Sequence, residues 1–365
     1  MINLSTYKLL TPGPLTVSDS VRAAMDFDHC TWDDEYKQIT QDIRQGILDI
    51  AQVVDQDYTC VLVQGSGTYG VEALIDTMVS PDDCLMVIRN GVYGDRIKEI
   101  ADYAKLNVVD CPVAIDQVPD LDQIDQLLIE NPQITHVIAV HSETTTGLLN
   151  PIEAIADRVK AHDKIFFADT ISSFGGIPID FTNIDGFVGS SNKCIQGVPG
   201  FAIVVVKRDL LADRAHNAST LSLDLYGQNQ TLDQDHGKWR FTSPTHSVVA
   251  FNQALKEFKE EGGVTARHQR YAKNQEILSQ GLKALGFKTF IPDLYQGPII
   301  TTFLYPEDRD ISFQDMYDYI KSRGYVIYPG KLTDIDTFRI GNIGEIYPED
   351  MEKVIAIMKE YLEGK

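Results

Sequence analysis

The sequence predicts an α/β protein with a mainly parallel sheet that helices cover on both faces. Short, nearly continuous apolar runs alternate with helical patterns between residues 59 and 207, which is typical of such a sheet. Beyond residue 250 the pattern changes to two long helices followed by shorter strands. That change indicates a second, smaller α+β domain.

The predicted strands of the sheet are apolar runs of six or seven residues. Because almost every position in them is apolar, they are typical of strands buried on both faces. They span residues 59–64, 84–89, 136–141, 164–169, 186–191 and 201–207. Helical patterns in the longer intervals favour parallel neighbours joined by crossover connections.

The C-terminal part of the chain mixes helices with strands. Helical patterns span 248–263, 267–286, 313–324 and 348–364, and strand patterns span 298–305, 325–330 and 337–342. We therefore predict a large α/β domain over residues 15–260 and a smaller α+β domain over residues 261–365. The N-terminal residues 1–14 are expected to join the smaller domain.

The composition excludes several classes of protein. The 365 residues carry 32 basic and 53 acidic side chains, for a formal net charge of −21, so neither nucleic acid nor a membrane is expected as a partner. No apolar run approaches the roughly 18 residues of a membrane span, and the first residues lack a signal-peptide core. Five scattered cysteines without a C-x-x-C pair indicate neither disulfides nor a metal site. We expect a cytoplasmic protein.

The stretch "QGSGTYG" (64–70) follows the first predicted strand and begins a helix. Glycines at positions 65 and 67 let backbone N–H groups approach an anion, and the helix N-terminus adds a partial positive charge. Ser66 and Thr68 add hydroxyl donors. The stretch matches neither the Walker A loop nor G-x-G-x-x-G. Taken alone, it fits a tight turn as well as a phosphate site.

Asp169 and Lys193 both lie at the ends of predicted strands. In open α/β sheets, ligands bind outside the carboxyl ends of the strands. Separately, Asp169 fits a helix cap or turn, and Lys193 fits a loop lysine. Together with a phosphate site, a carboxylate and an amine are the groups that pyridoxal 5′-phosphate requires. Because the neighbours of Lys193 are small and uncharged, burial of its amine would lower its pKa and favour imine chemistry.

Two more stretches follow predicted strands. "RNGVYGDR" (89–96) contains Tyr93, whose ring could stack on a planar cofactor; the alternative is a core tyrosine. "HSETTTG" (141–147) offers the hydroxyls of Ser142 and Thr144, and its alternative is a capping turn.

Arg339 lies in the apolar strand pattern "FRIGNIG" (338–344). An arginine that faces inward from such a strand is a candidate to hold a substrate carboxylate or phosphonate. The alternative is a buried structural ion pair.

The order of these motifs resembles the class V aminotransferases of pyridoxal-phosphate fold type I. The stretches that carry the resemblance are "TPGP", "QGSGTYGVEA", "NGVYGDR", "HSETTTG", "DTISSFGG", "SSNKCIQGVPGF" and "FRIGNIG". Longer stretches resemble the members of the family that act on 2-aminoethylphosphonate and pyruvate. They are "FDHCTWDDEY", "TLSLDLY", "DHGKWRFTSPTH", "GGVTARHQRYAKNQ" and "VIYPGK", and the match covers essentially the whole chain.

The resemblance implies a large domain with a seven-stranded, mainly parallel sheet, and a homodimer with shared active sites. It implies that Lys193 bonds to the cofactor and moves the proton, Asp169 pairs with the pyridine nitrogen, and Tyr93 stacks on the ring. It also implies contacts to the cofactor from Ser66, Gly67, Thr68, Thr144, Asn192 and, across the dimer, Thr242. Arg339 is implied to hold the acidic group of the substrate.

The function that the resemblance implies is amino transfer from 2-aminoethylphosphonate to pyruvate, giving phosphonoacetaldehyde and L-alanine, a step of phosphonate degradation. Alanine–glyoxylate and serine–glyoxylate aminotransferases of the same class are the nearest alternatives. A cysteine desulfurase needs a reactive cysteine in the C-terminal half, but no cysteine follows Cys194. A regulatory module that binds the cofactor without catalysis would need an appended DNA-binding domain.

Overall fold

A computed structural model of the chain describes residues 7–330, 332 and 335–364. The first six residues of the N-terminal segment lie outside the described residues, as does Lys331 at the end of "VIYPGK". Within the described ranges, no helix combines the length and the apolar character that are needed to cross a membrane.

Strands and helices alternate along most of the described chain. The strands are β1 (Lys8–Leu9), β2 (Tyr58–Gly65), β3 (Cys84–Arg89), β4 (Asn107–Pro112), β5 (His136–Val140), β6 (Ser142–Glu143), β7 (Leu148–Leu149), β8 (Ile165–Asp169), β9 (Gly186–Ser190), β10 (Gly200–Lys207), β11 (Lys288–Thr289), β12 (Ile300–Leu304), β13 (Tyr325–Val326), β14 (Tyr328–Pro329) and β15 (Thr337–Gly341). The helices are α1 (Asp19–Ala23), α2 (Asp34–Ala51), α3 (Gly67–Met78), α4 (Val92–Tyr103), α5 (Leu121–Glu130), α6 (Ile152–Ala161), α7 (Arg208–Asp213), α8 (Leu225–Gln234), α9 (Thr245–Glu261), α10 (Gly263–Ala284), α11 (Phe313–Lys321) and α12 (Pro348–Glu363).

A seven-stranded sheet with the order β2-β10-β9-β8-β5-β3-β4 forms the centre of the fold. Strand β10 runs antiparallel to both of its neighbours, and the other six strands share one direction. All five residues of β5 and of β9 are buried, as expected for strands with both faces covered. The predicted mainly parallel, seven-stranded sheet is therefore confirmed.

Helices on the sheet fix where the loops at its edge lie. Helix α3 packs against β2, β9 and β10, α4 packs against β3, and α6 packs against β8. A Cβ atom at Gly70 of α3 would lie only 2.7 Å from Ala202 Cβ and 2.8 Å from Val188 Cγ1. The glycine thus lets α3 lie directly on the sheet and determines the position of its N-terminus.

A second, smaller core lies in the C-terminal part of the chain. Its four-stranded sheet has the order β11-β12-β15-β14. Leu10 of the N-terminal segment belongs to this core, and β1 pairs in parallel with β13. Helix α10 contributes Tyr271 to the first core and Leu278 to the second, so it spans both cores. The predicted domain boundary between residues 260 and 261 stays a prediction.

The carboxyl ends of the parallel strands meet at one edge of the central sheet. Five of the strands end there at Gly65, Arg89, Val140, Asp169 and Ser190. Most of the motifs singled out in the sequence begin at or just after these positions. Ligands of open α/β sheets bind at this edge.

Candidate active site

A cavity of about 580 Å³ lies where the parallel strands end. Its walls come from the loops after β2, β8 and β9, from the first turns of α3 and α4, and from the N-terminal segment. Seven of the residues predicted from the sequence line it: Ser66, Gly67, Thr68, Tyr93, Asp169, Asn192 and Lys193. The fold thus brings together motifs that are widely separated in the chain.

The N-terminus of α3 forms one wall of the cavity. Gly65 ends β2 with a φ of +133°, a conformation that favours glycine. Ser66 occupies the N-cap position without a capping hydrogen bond from its side chain. A Cβ atom at Gly67 would lie 2.6 Å from Ile171 Cδ1, so glycine lets the helix end approach the loop after Asp169. Since the first amides of a helix lack partners within it, this wall can bind an anion such as phosphate.

Asp169 is the last residue of β8, and only 6% of it is exposed. Its Oδ1 accepts a hydrogen bond from the Ile171 backbone N–H at 2.9 Å. Burial raises the pKa of Asp169 to about 7, although that hydrogen bond opposes the shift. Among the nearby charges, Glu143 adds to the rise, and Lys193 and Arg96 oppose it. The carboxyl group therefore requires a cationic partner to be ionised firmly at neutral pH.

Lys193 lies in the turn after β9 and is partly buried. Its Nζ donates hydrogen bonds to the carbonyl oxygens of Pro12, at 2.6 Å, and Gly13, at 3.3 Å. Burial lowers the pKa of the Lys193 amine to about 8, and the Asp169 carboxylate is among the groups that oppose this shift. A substantial fraction of the amine is therefore neutral, and hence nucleophilic, near physiological pH.

Tyr93 is the second residue of α4 and lines the same cavity. Its backbone N–H donates to Glu143 Oε2 at 3.1 Å. The guanidinium carbon of Arg96 lies 5.0 Å from the centre of the Tyr93 ring. The backbone of Tyr93 is thus fixed by Glu143, and its ring lies at the cavity wall beside Arg96, where it could stack on a planar ligand.

Arg339 lies in the middle of β15 and is 3% exposed. Its Nη1 donates to the carbonyl oxygen of Thr144 at 2.9 Å, and its Nε donates to that of Pro329 at 3.0 Å. No ion pair to Arg339 exists among the described residues. Burial lowers the pKa of the Arg339 guanidinium. The buried ion pair that the sequence left open for Arg339 is therefore not present among the described residues. Backbone carbonyl oxygens bind the guanidinium instead.

Thr144 lies beside this contact in the loop between β6 and β7. Its Oγ1 is one of the few buried side-chain oxygens in the described chain that have no hydrogen-bond partner. Such an orphaned group is expensive unless a ligand or water satisfies it. The hydroxyl is thus available to a molecule bound nearby.

Asn192 and Thr242 differ in their positions. Asn192 lines the cavity, and its Oδ1 accepts a hydrogen bond from Ser190 Oγ at 2.7 Å. Thr242 is exposed in the segment between α8 and α9 and does not line the cavity. The lining of the cavity therefore leaves out three of the predicted residues, Thr242, Thr144 and Arg339, of which the last two are joined by the hydrogen bond from Arg339 Nη1 to the Thr144 carbonyl oxygen. The contact of Thr242 across a dimer stays a prediction.

Three residues of the site were missed by the sequence interpretation. Gly13 and Arg96 line the cavity, and Glu143 is a fully buried carboxyl group whose pKa is raised by burial. Arg96 follows Tyr93 by three positions on one helix, a spacing that puts both side chains on one face. That spacing was a usable signal, whereas nothing in the sequence indicates that the segment around Gly13 returns to Lys193.

The comparison with protein families gives one match along most of the chain. Residues 27–331 match the family described as Aminotransferase class-V.

Two relatives are similar over nearly the whole chain. A bifunctional phosphonoacetaldehyde hydrolase/aminoethylphosphonate transaminase of Clostridioides difficile is 51% identical over 98% of this chain, which spans 56% of that protein. A 2-aminoethylphosphonate–pyruvate transaminase of Lysinibacillus sphaericus is 50% identical over 98% of both chains.

Among solved structures, a pyridoxamine-pyruvate aminotransferase of Mesorhizobium loti superposes with a TM-score of 0.90. The superposition covers all of this chain and 94% of that one. At 21% identity, this likeness shows the shared fold alone.

Proposed function

The chain belongs to the class V aminotransferases, and from this premise we propose that it transfers the amino group of 2-aminoethylphosphonate to pyruvate. The products are phosphonoacetaldehyde and L-alanine, as in phosphonate catabolism. Two relatives at 50% and 51% identity support the choice of amino donor by their names, and one of them also supports pyruvate as the acceptor. The structural observation that carries the proposal is the burial of Lys193 and Asp169 in one cavity beside a helix N-terminus.

The proposed cofactor is pyridoxal 5′-phosphate, and the residues of the cavity fit it. Ser66, Gly67 and Thr68 at the start of α3 would hold its phosphate group. Thr144 has an orphaned buried hydroxyl that would bind the ring hydroxyl. When bound, this cofactor withdraws electrons from the substrate carbon that loses a proton, the chemistry that amino transfer needs.

Lys193 supplies two functions through one atom, Nζ. As a neutral amine it anchors the cofactor, and its pKa of about 8 makes the neutral form accessible. The same amine, when free, would also be the base that takes the proton from the reacting carbon and the acid that returns it. The carbonyl oxygens of Pro12 and Gly13 orient it without adding charge.

Asp169 would lie against the pyridine nitrogen. Burial raises the pKa of this carboxyl group to about 7, so a protonated ring nitrogen beside it would stabilise the ionised form. The pairing acts in both directions, because the carboxylate also favours the protonated nitrogen. Tyr93 would support the ring from one face, and Asn192 would contact the phosphate end.

Arg339 is proposed to hold the acidic group of each substrate. The cation is buried, and only backbone carbonyls are within its hydrogen-bond reach in the described chain. Its planar fork of donors suits a carboxylate and a phosphonate alike. Pyruvate and the aminoethylphosphonate could therefore use one clamp in successive half-reactions.

We further propose that the chain works as a cytoplasmic homodimer. The exposed position of Thr242 outside the cavity is consistent with a contact to the cofactor of the partner subunit. The five cysteines are all free, which suits a reducing compartment.

The alternative substrates are less well supported. Neither of the two relatives reported above bears the name of an alanine–glyoxylate or serine–glyoxylate aminotransferase. Against a cysteine desulfurase, Cys194 is fully buried, and burial raises the pKa of its thiol to about 12. Such a thiol is a poor nucleophile.

A screen of amino donors tests the proposal. Purified protein with added pyridoxal phosphate receives pyruvate and one of 2-aminoethylphosphonate, serine, aspartate or phosphoserine, and L-alanine is measured. We expect the highest kcat/KM for 2-aminoethylphosphonate, and Lys193→Ala should abolish turnover with every donor. A higher kcat/KM for an α-amino acid would overturn the substrate assignment while leaving the family intact.

A further inference from the structure

Arg96 is a cation of the cavity that the function proposed above does not use. It lies on α4, one turn after Tyr93, and lines the cavity together with Thr68. Its Nη1 donates to Thr68 Oγ1 at 3.2 Å. That hydrogen bond brings the guanidinium to the N-terminal turn of α3.

Arg96 forms no ion pair with a described acidic residue, although its charge acts at longer range on the Asp169 carboxyl group. Other cations nearby are paired: Arg89 bonds to Asp110 and Asp95, and Lys98 bonds to Asp102. Arg96 forms no such pair anywhere in the described chain. In a protein with a net charge of −21, an arginine in a cavity wall without an ion pair is a candidate to bind an anion.

The cavity offers few other formal positive charges. Arg96 and Lys193 are its lining cations, and the amine of Lys193 is already held by the Pro12 and Gly13 carbonyls. The amides of α3 carry only partial charge. A dianion at this end of the cavity would therefore depend on Arg96 for a formal positive charge, with the helix amides adding partial charge.

We propose that Arg96 binds a phosphoryl dianion in this cavity, together with Thr68 and the N-terminal amides of α3. A guanidinium has five N–H donors, and the contact to Thr68 uses one of them. The remaining donors suit the tetrahedral oxygens of a phosphate or phosphonate. The inference rests on the proposed function, because that function supplies two such groups: the phosphate of the cofactor and the phosphonate of the substrate.

The test compares Arg96→Gln and Arg96→Lys with a matched control, Lys98→Gln. The control removes one positive charge from the same helix, where it pairs with Asp102 outside the cavity. Cofactor-free protein is titrated with pyridoxal phosphate and, separately, with pyridoxal, and binding is followed by absorbance. Inorganic phosphate is added as a competitor. Thermal unfolding checks that each variant is folded.

If Arg96 holds the cofactor phosphate, Arg96→Gln weakens pyridoxal phosphate binding about 10- to 100-fold, the value of one charge-assisted hydrogen bond. Pyridoxal binding stays unchanged, phosphate competes less well, and Arg96→Lys recovers part of the loss. If Arg96 holds the substrate phosphonate, cofactor binding is unchanged. Instead, KM for 2-aminoethylphosphonate rises by a similar factor while KM for alanine in the reverse direction does not.

Two results would overturn the inference. Equal weakening of pyridoxal and pyridoxal phosphate would mean that Arg96 only shapes the wall around Tyr93. No change in either binding or KM, relative to Lys98→Gln, would mean that Arg96 binds no phosphoryl group. Failure of the substrate proposal is distinguishable, because wild-type protein would then bind pyridoxal phosphate normally but form no alanine from 2-aminoethylphosphonate.

Discussion

The amine of Lys193 donates a hydrogen bond to the carbonyl oxygen of Pro12 at 2.6 Å. The contact joins the turn after β9 to the N-terminal segment, which also pairs with the smaller core through β1. A carbonyl oxygen orients an amine without adding a counter-charge. Burial therefore still lowers the pKa of Lys193, to about 8, and the amine can be neutral at a pH where ordinary lysines are charged.

The pH dependence of cofactor capture follows from that pKa. Since only the neutral amine is nucleophilic, the rate at which cofactor-free protein bonds to pyridoxal phosphate should rise about tenfold per pH unit below pH 8. Above pH 8 it should level off. Stopped-flow absorbance between pH 6 and 10.5 measures it. A rate that keeps rising to pH 10 would indicate an amine with an ordinary pKa.

Reduction with borohydride identifies the amine in the same samples. Peptide mapping should find the reduced cofactor on Lys193 and on no other lysine. An adduct on a different lysine would show that the pH profile belongs to another group.

Gly13 is the second contact of this amine, and it has no room for a side chain. Its φ is +108°, and a Cβ atom there would lie 2.7 Å from Lys193 Cδ and 2.8 Å from Nζ. Gly13→Ala should lower the free energy of unfolding by about 1–3 kcal/mol through backbone strain. It should also displace Lys193 and slow cofactor capture.

Gly46→Ala is the control for this prediction. Gly46 lies within α2, and the nearest atom to an added Cβ is Leu255 Cδ1 at 3.4 Å. An alanine there should be neutral or stabilise the protein by up to about 1 kcal/mol. Urea unfolding gives both values, and a Gly13→Ala protein that captured the cofactor at the wild-type rate would contradict the role of this turn.

Much of the fold could be predicted from the sequence because the buried strands are apolar on both faces. The six runs predicted between residues 59 and 207 each correspond to a strand of the central sheet. The seventh strand, β4, gave no such run because it is an edge strand whose first three residues are polar or only partly buried. The apolar pattern of β10 is the same in either direction, so its reversed direction could be inferred only from the short interval after β9, which leaves no room for the crossover that a parallel pair needs.

The site residues that could be predicted are those with a reactive or charged side chain at the end of a predicted strand. Asp169 and Lys193 are of this kind, and both line the cavity. The acceptors for Lys193 are backbone carbonyls of Pro12 and Gly13, which every residue possesses, so the sequence cannot mark them. Arg96 was missed although its spacing from Tyr93 places both on one face of α4, because only the fold shows that no described acidic residue forms an ion pair with it.

The charge of Asp169 should matter more than its shape. Asp169→Asn keeps the size of the side chain but removes the carboxylate that would face the ring nitrogen. We expect kcat to fall by about 10²-fold or more, the effect of losing one preorganised electrostatic group, while cofactor binding persists. Near-normal turnover would show that Asp169 is only a turn residue.

Stability of the cofactor-free variant provides an independent check. The folded-state pKa of Asp169 is raised from 3.8 to about 7, so its proton stabilises the fold below pH 4, and that contribution is lost as the pH rises toward 7. Asparagine does not titrate. The Tm of cofactor-free Asp169→Asn minus the Tm of cofactor-free wild type should therefore increase as the pH rises from 4 to 8. If this difference in Tm did not change with pH, the Asp169 carboxyl group would be either hydrated or already paired with a cation in the cofactor-free protein.

Arg339 is expected to serve both half-reactions. Arg339→Lys keeps the charge but loses the planar fork, which should cost about 1.5–3 kcal/mol with each acidic substrate, the value of one charge-assisted hydrogen bond. Single-turnover absorbance with 2-aminoethylphosphonate and, separately, with L-alanine measures the two costs. Arg309→Lys is the matched control, because Arg309 also donates to a backbone carbonyl, that of Leu362, which is not one of the predicted site residues. An effect on alanine alone would require a separate site for the phosphonate.

The most direct test of the account is a stoichiometric half-reaction without pyruvate. Holoenzyme is mixed with excess 2-aminoethylphosphonate, and phosphonoacetaldehyde is quantified before and after pyruvate is added. If each chain transfers the amino group in one cavity, one equivalent of aldehyde per chain forms before pyruvate is added, and then formation stops. After pyruvate is added, one equivalent of L-alanine appears for each further equivalent of aldehyde. Continuous aldehyde release without pyruvate, or no aldehyde at all, would contradict the assignment.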